Sequence, residues 1–241
     1  MKGAVLVVWR KEVRELLKSK STLVFTSFLA LYFGSLPALG VSKAENPTTF
    51  LNNSIFYLSL TIGLFAGYLF TGQVFFREKQ ERVVETLLCA PVSLRAFWLG
   101  KVLGVATPSY SLSLLATLLL VVVSNISCSP SFSSGRLLFP SAPVLLHLLV
   151  VVPLFVASAV GLIGFLQLLL GMRENRIVGL VIFAAVFGAL YGVSGAMKMS
   201  GGFVVSWSLV AAFLVVSLVL VALTAFLTKF LSKERIVTTI S

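Results

Sequence analysis

The sequence predicts an all-α integral membrane protein. It would have six transmembrane helices, an amphipathic N-terminal helix on the membrane surface and a short cytoplasmic helix between the second and third spans. Of its 241 residues, 58% are hydrophobic and only 11% are charged, whereas soluble domains carry about 25% charged residues. The mean hydropathy is +1.05. Six apolar stretches are long enough to cross a bilayer, which takes about 20 residues. We therefore expect residues 1–241 to form one transmembrane domain.

Residues 1–20 are expected to form the surface helix. At a period of about 3.6 residues, apolar and charged side chains separate onto opposite faces, and Trp9 would lie at the depth of the lipid headgroups. The apolar face comprises Val5, Leu6, Trp9, Val13, Leu16 and Leu17, and the charged face comprises Arg10, Lys11, Arg14, Glu15 and Lys18. A plain basic anchor that only sets the topology is the alternative interpretation.

The six spans are expected at residues 23–41, 55–75, 96–123, 144–170, 177–197 and 203–231. Two charged residues lie within them, Lys101 and Lys229, and each is expected to extend its ammonium group to the nearer interface. Pairs of glycines spaced about one turn apart would let neighbouring helices pack closely. These pairs are Gly63 with Gly67, Gly100 with Gly104, and Gly188 with Gly192.

The distribution of charge predicts the orientation. All but three of the 19 basic residues and all but one of the 8 acidic residues lie on one side of the predicted spans. The exceptions are Lys43, Arg136, Lys198 and Glu45. Lys and Arg favour the cytoplasmic side, so we expect a multi-pass protein of the cell membrane with both termini in the cytoplasm. Cys89 and Cys128 then fall on opposite sides, which predicts no disulfide and places Cys128 within reach of external thiol reagents.

Composition and motifs disfavour several functional classes. The net charge of +11 is not accompanied by a basic patch with polar readout residues, so it fits an anionic lipid leaflet rather than nucleic acid. No carboxylate lies within a predicted span, which argues against a proton- or ion-coupled carrier. Protease and hydrolase motifs are also absent, which argues against an intramembrane enzyme. We expect no catalytic residue, metal or cofactor on this chain.

The loop at residues 77–93 interrupts the apolar sequence with alternating charges. Glu81 and Glu85 lie one turn apart, while Val84, Leu87 and Leu88 mark the opposite face of a short helix. Pro91 would end this helix, and Ser93 is positioned to cap the next one. The apolar ridge needs the bilayer surface or another protein to cover it. An ordinary solvated charge run is the alternative.

This loop resembles that of the ABC type-2 permeases, the membrane subunits of ATP-binding-cassette exporters. Their pattern is E-R-E-x-G-T-L-E-x-L-L-x-S-P-V-S followed shortly by G-K, and this chain reads E-K-Q-E-R-V-V-E-T-L-L-C-A-P-V-S from Glu78, with Gly100-Lys101 following. Arg82-Val83 replaces the Gly-Thr pair of the family. The amphipathic N-terminus, the six spans and the cytoplasmic ends extend the resemblance over the whole chain.

The resemblance implies that loop 77–93 is a coupling helix that docks into a cleft of a separate ATPase subunit. The residues implied in coupling are Glu78, Glu81, Glu85, Leu87, Leu88, Pro91 and Ser93. It also implies that Trp9, Arg10 and Arg14 belong to a connecting helix beside the loop. ATP and Mg²⁺ would bind the partner, since this chain has no phosphate loop: valine follows Gly100-Lys101, and Arg95 stands where a glycine is required. A second permease subunit and membrane lipid are the other implied partners.

Three further features remain open from sequence. Arg173, Glu174 and Arg176, in the turn between the fourth and fifth spans, form either a second cytoplasmic contact or a plain topological turn. His147 is either a ligand or proton site or, more simply, a structural residue near the outer face. Residues 124–143 are rich in serine and proline, which predicts an irregular outer cap, and Asn125 begins a glycosylation sequon.

The leading hypothesis is an exporter permease coupled to an ATPase. The alternative is a non-transporting membrane assembly factor on the same scaffold, for example in haem handling or cell-surface assembly. The transported substrate cannot be read from these residues.

Overall fold

The computed structural model describes residues 2–41, 44–77, 93–128, 137–169 and 204–230, together with 181, 184 and 188. Throughout this described part the chain is helical with short connections, as the sequence predicts. The helices are α1 (Lys2–Lys18), α2 (Lys20–Val41), α3 (Pro47–Thr71), α4 (Leu94–Cys128), α5 (Ala142–Leu169) and α6 (Trp207–Leu227). A π-helical turn, Gly72–Phe76, extends α3, another, His147–Val151, lies within α5, and a 3-10 turn, Thr228–Phe230, follows α6.

Five helices in the described residues are long and apolar enough to cross a membrane, namely α2 to α6. The first span is found at Leu23–Val41, as predicted. The predicted fifth span, residues 177–197, lies outside the described residues except at three positions, as does the turn containing Arg173, Glu174 and Arg176.

Two spans are longer than their apolar cores suggested. α3 begins at Pro47 rather than at residue 55, and α4 continues to Cys128 rather than ending at residue 123. The added turns contain polar residues, which lower the hydropathy, but two of these residues bind the backbone of the segment before α5. Asn52 Oδ1 accepts a hydrogen bond from Ser141 N (2.9 Å), and Asn125 Oδ1 accepts one from Leu138 N (2.7 Å).

The extension of α4 corrects the expectation of an irregular cap from residue 124 onward, because the helix continues to Cys128. Cys128 is buried, with 4% of its surface exposed, so it is not the accessible thiol that the sequence suggested. Asn125 also donates through Nδ2 to Leu138 O (3.1 Å). Because its amide is hydrogen-bonded to the backbone of Val121 and of Leu138, Asn125 acts as a clamp between the end of α4 and the segment before α5.

α4 lies at the centre of the described helices and packs against α1, α2, α3 and α5, while α6 packs along α5. Glycines allow the closest of these approaches. A Cβ atom added at Gly63 would lie 2.7 Å from Val156 Cγ2, and one added at Gly67 would lie 2.9 Å from Val160 Cγ2. This pair therefore packs α3 against α5, as its spacing predicted.

Polar side chains tie the same helices together. Ser113 Oγ on α4 donates to Ser59 O on α3 (2.6 Å), and Tyr110 Oη donates to Leu148 O in the π turn of α5 (3.2 Å). A π turn shifts the backbone hydrogen-bond pattern, and here one of its carbonyl oxygens accepts a bond from a neighbouring helix. These contacts fix α4 relative to the two helices that flank it.

Candidate coupling site

Most of the predicted coupling loop lies outside the described residues. The predicted coupling residues outside the described part are Glu78, Glu81, Glu85, Leu87, Leu88 and Pro91. Both ends of the loop are described, however. The entry is the π turn that extends α3, followed by the exposed Arg77, and the exit is Ser93 at the start of α4.

Ser93 caps the first turn of α4. Its Oγ accepts a hydrogen bond from Ala96 N (3.4 Å), the third residue after the cap. A serine at this position satisfies one of the amide groups that a helix start leaves without a backbone partner. The capping role predicted for Ser93 is confirmed, whereas its role in coupling stays a prediction.

α1 packs lengthwise on the start of α4, and glycines again make the contact close. A Cβ atom at Gly100 would lie 2.6 Å from Val8 Cβ, and one at Gly104 would lie 2.6 Å from Glu12 Cβ. The second glycine pair thus forms the groove in which α1 lies. Of the third pair, Gly188 has nothing within 4 Å of an added Cβ, and Gly192 lies outside the described residues.

The face of α1 turned to α4 differs from the predicted apolar face. Leu16 is buried as expected, but Leu6 and Leu17 are 50% and 55% exposed, and the acidic Glu12 is buried. Arg10 and Arg14 are exposed, as predicted for the charged face. Val8 and Glu12 pack into the groove formed by Gly100 and Gly104. Leu6 and Leu17 therefore stay on the outside of α1, where they can contact lipid.

A buried ion pair joins α1 to α4. Lys101 Nζ donates to Glu12 Oε1 over 2.9 Å, and the two side chains are 2% and 1% exposed. This finding corrects the expectation that Lys101 extends to an interface. A buried charge is tolerated when it is paired and hydrogen-bonded, and Lys11 Nζ, 3.5 Å from the same carboxylate oxygen, adds a second cation.

Lys101 also reaches the entry of the loop. Its Nζ donates to Val74 O in the π turn (3.4 Å) and lies 5.6 Å from the ring centroid of Phe75 and 5.1 Å from that of Phe97. One ammonium group therefore contacts α1, the end of α3 and the start of α4. These are the connecting-helix candidate and the two anchors of loop 77–93.

Trp9 forms a second link between the same helices. Its Nε1 donates to Thr107 Oγ1 on α4 (3.1 Å). The headgroup depth expected for Trp9 stays a prediction, and the polar edge of its ring holds α1 against a span. Sequence reasoning missed Glu12 and Val8 as contact residues. The glycine pair at positions 100 and 104 predicted that another helix packs closely there, but it did not show which residues of that helix would make the contact.

His147, the one histidine of the chain, is fully buried. Its ring stacks on Phe56 with a centroid separation of 4.1 Å and meets Phe213 edge-on at 6.1 Å. The residue thus lies in an aromatic cluster formed by α3, α5 and α6. This placement favours the structural interpretation over a solvent-accessible ligand site.

The family description "ABC-2 family transporter protein" matches residues 13–187, which is more than half of the chain. The chain belongs to the ABC-2 family of transporter proteins. The match extends from α1 across the loop and the central helices. ABC-2 permeases are in general non-catalytic and work with an ABC ATPase subunit, so membership supports a multi-pass, permease-type membrane protein. No curated protein and no solved structure gives a significant match.

Proposed function

We propose that this ABC-2 protein is the permease subunit of an exporter in the cell membrane, with both termini in the cytoplasm. A separate ATPase subunit, which binds ATP and Mg²⁺, would drive it through loop 77–93. The observation that carries the proposal is the junction at Lys101. This residue joins α1 to both anchors of the loop, so a displacement of the loop would move α1, α3 and α4 together.

The geometry suits the transmission of force. The loop leaves α3 directly from the π turn and re-enters α4 at a capped helix start, so neither anchor is a long irregular linker. Leu87 and Leu88 would provide the apolar contact to the ATPase, and Glu85 would fix its register, since interfacial charge governs specificity more than affinity. Closure of two ATPase subunits on ATP would then tilt the spans and open the pathway outward.

We further propose that two permease subunits form the pathway, with the first and fifth spans as the contacts that the resemblance implies. The outer side of α2 supports this arrangement for the first span. Phe25, Phe28, Leu31 and Leu39 are each more than half exposed, and the rings of Phe28 and Tyr32 stack at 6.2 Å. Such a stripe fits either lipid or a second copy, and cysteine cross-linking separates the two. Phe28→Cys should give a disulfide-linked dimer and Leu218→Cys, on the exposed side of α6, should not.

The coupling proposal is tested with Leu88→Asp. Because we place Leu88 outside the bilayer, this variant should insert and fold normally but lose the ATPase subunit during purification in mild detergent. Burial of one such leucine contributes about 1.5–3 kcal/mol, and an aspartate there adds a desolvation penalty. Glu85→Arg should retain a weakened complex whose ATP hydrolysis no longer responds to substrate.

Leu137→Asp is the matched control, since Leu137 is 67% exposed and lies in the predicted outer region, in the segment before α5. It should retain the ATPase. The proposal fails if Leu88→Asp keeps full ATPase binding and full transport, or if the wild-type chain purifies with no ATPase.

A non-transporting assembly factor on the same scaffold is the second candidate. It shares the ATPase partner, so co-purification does not separate the two functions. ATP-dependent movement of a labelled amphipathic compound in reconstituted vesicles does, because only the exporter would accumulate it.

A further inference from the structure

A groove runs between α4, α5 and α6 on the side of the molecule where α4 begins. One part of it is an apolar cavity of about 260 Å³. Leu99 and Leu103 of α4, Ala157 of α5, and Val221 and Ala225 of α6 contribute to its walls. Leu99 and Leu103 are 44% and 43% exposed, so the groove opens sideways, toward the surroundings of the helices rather than toward the centre of the bundle.

The groove ends in a polar cavity of about 280 Å³ that includes Ser93, Arg95 and Lys229. Arg95, Trp98 and Thr228 line both cavities, so the two are continuous. Within the described part of the chain, neither Arg95 nor Lys229 forms an ion pair with a carboxylate. Lys229 Nζ lies instead 5.5 Å from the ring centroid of Phe226.

Trp98 lies at the junction and is 4% exposed, yet its buried Nε1 has no hydrogen-bond partner among the residues that the structure describes. A buried donor without a partner has a free-energy cost. The ring packs closely against α5, because a Cβ atom added at Gly161 would lie 3.2 Å from Trp98 Cη2. The indole ring is therefore fixed at the wall of the groove, where the two cavities meet.

From this arrangement we propose that the groove is a binding site for an anionic phospholipid of the adjacent leaflet. The phosphate group would lie between Arg95 and Lys229, and an acyl chain would follow the apolar cavity past the ring of Trp98. Two cations and the hydroxyl group of Ser93 at one end of an apolar groove complement an anionic headgroup. A soluble anion would leave the apolar cavity unfilled. The site goes beyond the proposed export function and does not depend on it.

The test is native mass spectrometry of the purified full chain with dioleoyl phosphatidylglycerol and dioleoyl phosphatidylcholine, which carry the same acyl chains. We expect the wild type to retain phosphatidylglycerol in preference. Arg95→Gln and Lys229→Gln should each lower its apparent affinity by about fivefold, the size expected for one basic residue near an anionic membrane surface. Lys20→Gln, an exposed cation at the start of α2, is the control and should change nothing.

A second variant tests the apolar part. Ala225→Trp should fill the cavity and reduce the binding of both lipids, while circular dichroism checks that the variant folds. Wild-type affinity for phosphatidylglycerol in the Arg95→Gln/Lys229→Gln double variant would overturn the proposal, as would equal binding of the two lipids by the wild type. Displacement of the lipid by inorganic phosphate alone would show an anion site rather than a lipid site and would also overturn it.

Discussion

Lys101 Nζ on α4 lies 2.9 Å from Glu12 Oε1 on α1, and both side chains are shielded from solvent. The pair joins residues that are 89 positions apart in the sequence. It connects the amphipathic N-terminal helix to the point where the predicted coupling loop leaves and re-enters the helical domain. Charge patterning alone would place α1 on the membrane surface without fixing it to a span. The ion pair fixes α1 to α4.

The first prediction concerns this ion pair. Lys101→Met removes the cation that lies 2.9 Å from the buried Glu12 carboxylate, so it should destabilise the protein by about 3–5 kcal/mol. The double variant Glu12→Leu/Lys101→Met should recover much of this loss, because no buried charge remains. The free energy of unfolding is measured by titration with denaturing detergent in micelles.

Glu15→Gln is the control for the variants of the ion pair, since Glu15 is acidic like Glu12 and lies on the same helix but is 56% exposed. Its effect should be small, within about 1 kcal/mol. Equal stability of Lys101→Met and Glu15→Gln would show that the ion pair does not contribute to the fold.

The second prediction concerns the contact between α1 and α4. Gly100→Ala places a methyl group 2.6 Å from Val8 Cβ and 3.0 Å from Val5 O, so α1 must move outward. Overpacking of this kind costs about 1–3 kcal/mol. Gly72→Ala is the control, because nothing lies within 4 Å of its added Cβ. The melting temperature should fall for Gly100→Ala alone, and an equal fall for both variants would contradict the packing described.

The third prediction concerns His147. If its role is structural, His147→Phe should keep the stacking on Phe56 and retain both stability and transport. His147→Ala should leave a cavity and destabilise the protein by about 3–5 kcal/mol, the range for truncating a buried ring. Thermal unfolding and vesicle transport measure the two effects. A His147→Phe variant that folds normally but has lost transport would indicate a proton or ligand role instead.

The fourth prediction concerns topology. Because Cys128 is buried, it should react slowly with a membrane-impermeant maleimide even in intact cells. Leu137→Cys, in a background where both native cysteines are replaced by alanine, should label in intact cells, since Leu137 is 67% exposed in the predicted outer region. Arg77→Cys in the same background should label only after the membrane is opened. The reverse pattern would invert the predicted orientation.

The sequence alone was sufficient to predict the helical class, most of the spans and the family. Hydropathy and helical periodicity are properties of neighbouring residues, so they are readable without knowledge of the fold. The glycine pairs at positions 63 and 67 and at positions 100 and 104 correctly predicted close packing, since the absence of a side chain is itself the signal. The cap formed by Ser93 could also be predicted, because Ser93 binds the amide of Ala96, only three residues away in the sequence.

What the sequence could not determine is which residue faces which across two helices. The partner of Lys101, the burial of Cys128, the amide clamp of Asn125 and the groove beside Trp98 each depend on how separate helices are placed. Hydrophobic patterning shows which side of a helix is apolar, but not that a glycine groove on α4 would bury the acidic Glu12 while Leu6 and Leu17 stay exposed. Those outcomes follow from steric fit and from charge pairing between distant segments, and only the tertiary structure brings such segments together.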